Sequence, residues 1–196
     1  MKTGSTITLF RPVGQAELDL IIQSDWKKFP PRLPEQPIFY PVLNQEYAAY
    51  IAQYWNAKYD GTGYVLKFEV DAKFIQPYQV HTVGAHRDQE YWIPAEELVH
   101  FNDAIVGKIE LIQSFQRWTV YLLRCSDDTL YTGITLDLER RIKEHNTGKK
   151  GAKYTRGRTP VSLVKSFLRY SKGDALKLEH RIKNLSREDK LTFEDT

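Results

Sequence analysis

The sequence predicts an α+β protein built from two small units, and three observations predict it. Short runs alternating apolar and polar residues, the mark of half-buried strands, are interleaved with amphipathic helical stretches. The charge splits along the chain. Residues 1–115 carry 10 Lys and Arg against 14 Asp and Glu, whereas residues 116–196 carry 18 against 11. A hairpin pattern, two apolar runs between Thr119 and Ile134 separated by Ser126-Asp127-Asp128, opens the basic part. The boundary is placed near Ser114–Arg117, where the charge balance changes, giving domains 1–115 and 116–196. No Pro/Gly/Ser-rich linker, internal repeat or low-complexity segment is present.

The first part reads as follows. Thr6 to Arg11 alternates as a strand, ended by Pro12 and Gly14. Gln15 to Trp26 carries Leu18, Ile21, Ile22 and Trp26 near the helical period. Residues 28–37 hold four prolines and form a loop of the kind that often lines a site. Ile38 to Leu43 is a short strand whose Pro41 places it at an edge or bulge. Asn44 caps a helix from Gln45 to Asn56. The stripe of Tyr47, Tyr50, Ile51, Tyr54 and Trp55 on it is expected to be core. Strands are expected at Tyr64–Val70, Gln79–Val83, Gln89–Pro94 and Val106–Ile112, with a polar loop at Gly84–Asp88 and a helix from Ala95 to Asn102.

The second part reads hairpin, helix, basic loop, strand, helix. The first helix runs from Asp137 to Asn146, with Asp137 at its N-terminus, where a carboxylate helps cap it. Thr147 to Pro160 is a loop crowded with Lys149, Lys150, Lys153, Arg156 and Arg158, and Lys165 stands just past it. Val161 to Phe167 is a strand and Asp174 to Ser186 the second helix.

Composition narrows the function classes. With 41% hydrophobic and 27% charged residues the chain is an ordinary globular one. No apolar run approaches the roughly 18 residues of a membrane span, and Met1–Thr6 lacks the apolar core of a secretory signal. One cysteine, Cys125, excludes an internal disulfide and a multi-cysteine zinc site, and reads as a small strand residue. A cytoplasmic location without a membrane partner is expected, and the oligomeric state is left open. The basic second part is the candidate for polyanion binding.

Leu138, Arg141, Ile142 and His145 fall at i, i+3, i+4 and i+7, so Arg141 and His145 share the inward side of the first helix. Arg140, Lys143 and Glu144 are expected to face solvent. An inward charge needs a partner. On the second helix Ala175, Leu178, Ile182 and Leu185 make the apolar stripe, and Glu179 lies at its edge. Glu179 either holds a metal through oxygen or pairs with Arg141 as a structural salt bridge.

Tyr121 and Tyr131, the triplet Tyr131-Thr132-Gly133, then Arg141, His145 and Glu179, resemble the GIY-YIG endonuclease superfamily over about residues 118–190. The likeness is closest to its small stand-alone bacterial branch and more distant to UvrC-type nuclease domains. Val120-Tyr121-Leu122 stands for GIY and Tyr131-Thr132-Gly133 for YIG, while Ile134 occupies a place where the UvrC branch carries a lysine. The resemblance implies a small antiparallel sheet flanked by helices. It implies a metal-dependent DNA endonuclease with a site of Tyr121, Tyr131, Arg141, His145 and Glu179. One Mg²⁺ or Mn²⁺ on Glu179 would neutralise the phosphate, and one of the tyrosines would activate water. Lys149, Lys150, Lys153, Arg156 and Arg158 would track the DNA backbone, giving affinity without sequence choice and favouring branched, nicked or single-strand-containing DNA.

A geometric condition attaches to that reading. Tyr121 and Tyr131 share a sheet face only if residues paired across the hairpin have numbers summing to an even value. A three-residue loop, Ser126 to Asp128, which pairs Cys125 with Thr129, meets it. A four-residue loop does not unless a bulge intervenes.

The acidic part resembles small bacterial ADP-ribosylation/crystallin-like domains. The likeness rests on Leu9–Gly14, Phe29–Pro34 and Gln89–Pro94 and covers about residues 6–114. It implies an ADP-ribosyltransferase-like fold with a candidate NAD⁺ site of Arg11, Arg32, Tyr40, Asn44 and Glu90. In the plainer alternative Arg11 and Glu90 form an ordinary ion pair. Two rival functions stand beside the nuclease: an NAD-dependent ADP-ribosyltransferase targeted to DNA by its second domain, and a non-catalytic nucleic-acid-binding protein.

Overall fold

A computed structural model describes residues 4–84, 88–148 and 150–195 of the chain. The expected loop residues Ala85, His86 and Arg87, and the basic candidate Lys149, lie outside the described residues, as do Met1, Lys2, Thr3 and Thr196. The architecture is α+β, and the chain divides at Phe115/Gln116 into two units.

In the first unit β1 (Thr6–Val13) is followed by α1 (Gln15–Gln23) and β2 (Ile38–Phe39). The helix expected to reach Trp26 stops early because Asp25 and Trp26 adopt left-handed φ of 58° and 61°. The strand expected to end at Arg11 continues through Pro12 to Val13. Phe10 N–H donates outward to Val42 O at 2.9 Å, so the missing N–H two residues on also falls on the side away from the ladder. Next come α2 (Gln45–Ile51), a π-helical segment over Ala52–Asn56, α3 (Ala57–Asp60) and β3 (Thr62–Asp71). Asn44 caps α2, its side chain accepting from Tyr47 N–H at 2.7 Å. Most of the aromatic stripe of this helical stretch is not core, although its first member, Tyr47, packs half-buried against Val42, Ala48, Ala52 and Val65. Tyr50, Tyr54, Trp55 and Tyr59 are 44–66% exposed, and Ala48, Ala52 and Ala57 form the buried face instead. These small residues let backbone meet backbone. A Cβ on Gly63 would stand 1.8 Å from Ala52 O, so only glycine fits there.

The unit continues with α4 (Ala72–Ile75), β4 (Val80–Thr82), β5 (Gln89–Tyr91), β6 (Ile93–Pro94), α5 (Leu98–Asp103) and β7 (Ile105–Gln116). The single strand expected at Gln89–Pro94 breaks at Trp92 because its halves change partner, β5 pairing with β4 and β6 with β2. The sheet order is β1-β3-β7. The core gathers Phe29, Phe39, Phe68 and Phe101, and the proline loop is fixed to it by Asn102, which exchanges hydrogen bonds with the Phe29 backbone.

The second unit contains β8 (Trp118–Arg124), β9 (Leu130–Thr135), α6 (Leu138–Thr147), β10 (Ser162–Arg169), α7 (Lys172–Lys183) and α8 (Arg187–Thr192). The last is a helix that the sequence reading does not anticipate. Ser186 caps it by accepting from Asp189 N–H. The sheet order is β10-β8-β9, so β8 is central and Thr119 to Leu123 are all buried. One face of β8 packs Val120 against Ala175, Leu178 and Ile182 of α7. The other carries Tyr121 and Leu123 with Cys125, Val161 and, from α6, Leu138 and Ile142. The hairpin pairs Tyr121 with Gly133 and Leu123 with Tyr131, every pair summing to 254. The loop is the three-residue one: Cys125 N–H donates to Thr129 O at 2.8 Å, and Asp128 takes the left-handed position with φ 64°. Tyr121 and Tyr131 therefore lie on one face.

Candidate active site

The two tyrosine rings are 6.3 Å apart, and His145 from α6 sits edge-on to both, at 5.9 Å from Tyr121 and 5.2 Å from Tyr131. The helix is held in place at both ends. Asp137 accepts from Arg140 N–H at its start, and Gly148 with φ 75° ends it. Asn146 clamps its last turn to the Val161 backbone through two hydrogen bonds of 2.7 and 3.1 Å.

Tyr121 and His145 are each 1% exposed. The Tyr121 oxygen lies 3.0 Å from His145 Nε2 and accepts from Arg141 Nε at 3.4 Å. Burial pushes the Tyr121 pKa up to about 12, and the hydrogen bond from Arg141 acts against that rise. The negative charge of Glu179 also raises it. Glu179 thus acts on Tyr121 although it comes from the helix on the other face of the sheet. Burial, reinforced by Arg141, lowers the His145 pKa and keeps the ring neutral near pH 7. Burial would lower the Arg141 pKa, but hydrogen bonds to Tyr121 and Glu144 outweigh it and raise it.

The partner that inward Arg141 needs is Glu144, at 2.9 Å, not Glu179. Glu144, expected to face solvent, is instead half-buried and also binds Arg140. Glu179 is only 15% exposed and receives one hydrogen bond, from Lys183 Nζ to Oε1 at 2.9 Å. Among the described residues no three His, Cys, Asp or Glu cluster as a ready-made metal cage. The carboxylate at hand is that of Glu179, which could hold a divalent ion only as one ligand, the shell being completed by water and substrate phosphate.

Gly133 has a physical reason. A Cβ there would stand 2.5 Å from the Tyr121 oxygen, because the tyrosine side chain crosses the partner strand at that point. Several participants escape sequence reading. Thr155, fully buried at the end of a 3-10 turn (Lys153–Thr155), has Oγ1 2.7 Å from His145 Nδ1. Tyr154 stacks on Tyr131 at 5.8 Å. Lys150 O accepts from Arg141 Nη1 at 3.0 Å. The chain passes closest to the helix one residue later, at Gly151, where a Cβ would press on His145 Cα at 3.0 Å. A glycine, Gly151, two residues before a Lys-Tyr-Thr run is the signal the sequence offers for this turn.

Of the basic candidates, Lys150, Lys153 and Arg156 are exposed. Arg158 is engaged within the unit, binding Asp127 at 2.9 Å and lying over the Tyr154 ring at 4.6 Å. In the first unit Arg11 pairs with Glu17 at 3.0 Å and donates to Tyr40 O at 3.1 Å, so the ion pair that forms is Arg11–Glu17 and not the Arg11–Glu90 pair of the plainer alternative. Arg32 approaches the same Glu17 at 3.9 Å and donates to Ile38 O. Glu90 is buried and accepts from Trp92 Nε1 at 2.8 Å, and Asn44 is committed to its cap.

A tyrosine pair, an arginine and a histidine thus lie on one sheet face, and the carboxylate of Glu179 comes from the other. A family model described as a GIY-YIG catalytic domain matches residues 117–192, and the chain belongs to this family through that unit. Its relatives there include UPF0213 proteins. One from Haloquadratum walsbyi is 56% identical over 71 residues, covering 36% of this chain and 79% of the relative. One from Natronomonas pharaonis is 58% identical over 71 residues, covering 36% and 82%. A solution NMR structure of the UPF0213 protein from Bacillus halodurans is 48% identical, covering 39% of this chain and 81% of that one, with a TM-score of 0.27. A GIY-YIG catalytic domain implies a nuclease acting on nucleic acid. No helix among the described residues is long and apolar enough to cross a membrane.

Proposed function

We propose that the protein is a metal-dependent DNA endonuclease that hydrolyses phosphodiester bonds with structure selectivity or weak sequence preference. The observation that carries the reading is the oxygen of Tyr121, on which Arg141 and His145 both terminate and whose pKa the charge of Glu179 influences. Tyr121 is the base in this scheme. In its phenolate form it takes a proton from the attacking water, and Arg141, held by Glu144 and Lys150 O, supplies positive charge beside the phenolate and the phosphate. Tyr131 borders the site and orients the substrate phosphate. Glu179 would hold Mg²⁺ or Mn²⁺, which would supply charge to neutralise the phosphate and stabilise the leaving oxygen. Exposed Lys150, Lys153 and Arg156 grip the backbone of the DNA.

Incubation of the full chain with branched, nicked and plain duplex DNA, with and without Mg²⁺ or Mn²⁺, tests this. Metal-dependent cleavage, lost in Glu179→Ala and in Tyr121→Phe, is expected. DNA binding with no cleavage under any of these conditions would favour the non-catalytic alternative. For the first unit, an NAD⁺ site around Arg32, Tyr40 and Glu90 remains a proposal from resemblance, tested by labelled NAD⁺ transfer and its loss in Glu90→Ala.

A further inference from the structure

His145 meets its surroundings through both ring nitrogens, and the two ends are not equivalent. Nε2 faces the Tyr121 oxygen at 3.0 Å. Nδ1 faces the turn that follows the helix, where Ala152 N–H donates to it at 3.4 Å and Thr155 Oγ1 lies at 2.7 Å. A hydroxyl rotates to suit either tautomer: the single hydrogen of Thr155 Oγ1 goes to Ala152 O, 3.0 Å away, when Nδ1 carries a proton, and to Nδ1 when it is bare. A backbone N–H has no such freedom. Its hydrogen is fixed by the peptide plane, and it points at Nδ1. A proton on Nδ1 would oppose it.

We infer that Ala152 N–H holds His145 as the Nε2–H tautomer, with the Thr155 hydroxyl turning its hydrogen to the bare Nδ1, so that the ring donates to the Tyr121 oxygen and does not draw a proton from it. Thr155 is then a positioning residue for the reaction. The inference rests on the nuclease reading for its role and deepens it. The Tyr121 oxygen receives two N–H donors, Nε2 of His145 and Nε of Arg141, the arrangement that stabilises a phenolate. The groups acting on His145 and Tyr121 are Arg141 and Glu144 on α6, Tyr131 on β9 and Glu179 on α7.

The test is a nitrogen-15 NMR spectrum of the full chain labelled at histidine, read through the ring couplings, with cleavage measured in parallel. The expected spectrum shows His145 protonated at Nε2 and bare at Nδ1 near pH 7. Thr155→Val removes the hydroxyl donor at nearly constant shape. It is expected to lower kcat about tenfold, the loss of roughly one hydrogen bond, with KM unchanged and the acid limb of the pH–rate profile moved to higher pH. Thr155→Ser restores both. A wild-type ring protonated at Nδ1, or a Thr155→Val enzyme with the parent rate and profile, overturns the inference. If the wild-type protein cuts no DNA, the nuclease reading fails, and the spectrum still decides the tautomer.

Discussion

Replacing Gly133 by alanine is the sharpest probe of the site, because the structure fixes what the added methyl meets. The new Cβ would lie 2.5 Å from the Tyr121 oxygen, 2.7 Å from its Cζ and 3.2 Å from Tyr131 Cε1. Carbon atoms pack at about 3.5–4.0 Å, so the tyrosine must move by about 1 Å. It has nowhere to go cheaply, being 1% exposed and tied to His145 and Arg141. Overpacking of this kind costs about 1–3 kcal/mol. A shift of about 1 Å at a reacting group costs about 10²-fold in rate. Gly133→Ala is therefore expected to melt several degrees lower, at roughly 4–8 °C per kcal/mol for a domain of this size, and to cleave about 10²-fold more slowly in single turnover. In a Tyr121→Phe background the clash with the hydroxyl is gone, so the same alanine should destabilise less, and a double-mutant cycle should show coupling. A Gly133→Ala protein with the parent melting temperature and rate would refute the placement of Tyr121.

Further outcomes follow from the same geometry. Arg141→Lys should lose cleavage by about 10²–10³-fold, because an ammonium cannot serve Tyr121, Glu144 and Lys150 O together; single-turnover rates check it. Lys153→Ala and Arg156→Ala should each weaken DNA binding alike across sequences and reduce the salt slope by about 1, as read by titration at several ionic strengths. Arg158→Ala should leave that slope unchanged and lower thermal stability, since its guanidinium is already held by Asp127 and Tyr154. The folded-state pKa of His145 lies below its ordinary value of about 6.5. Its contribution to stability is therefore present above that pH and falls away as the pH drops below it, because the unfolded chain takes up the proton first. Denaturant melts of the parent and His145→Gln across that range should show this loss in the parent alone.

How far the sequence foretells all this depends on the range of the interaction involved. The hairpin register is legible because it is local: three turn residues and a period of two put Tyr121 and Tyr131 on one face, as the pairing of Cys125 with Thr129 shows. The inward side of α6 is legible for the same reason, with Arg141 and His145 where helical spacing places them. The partner of Arg141 is not. Glu144 at i+3 reads as solvent-bound because the backbone of Lys150, which draws the guanidinium to that side, returns only after the helix ends. The aromatic stripe of Tyr50, Tyr54 and Trp55 misleads for a different reason. Periodicity reports that a helix has two faces but not which one is inside. Here three alanines and Gly63 permit a backbone approach that outweighs the hydrophobicity of the rings.

The segment after α6 draws these points together. Read as charge alone, residues 150–158 are a loop for gripping a polyanion. In the structure its 3-10 turn has three consecutive residues with three destinations: Lys153 is exposed, Tyr154 stacks on Tyr131, and Thr155 reaches His145. Gly151 brings that turn against the helix, and Arg141 holds Lys150 O. A phosphate pulling on Lys153 therefore pulls on a turn whose next two side chains touch the proposed machinery. Under the nuclease reading, grip and chemistry share one short stretch of backbone. Lengthening that turn by one glycine after Lys153 should then lower the cleavage rate far more than DNA affinity. Equal losses in the two would show that the turn only binds.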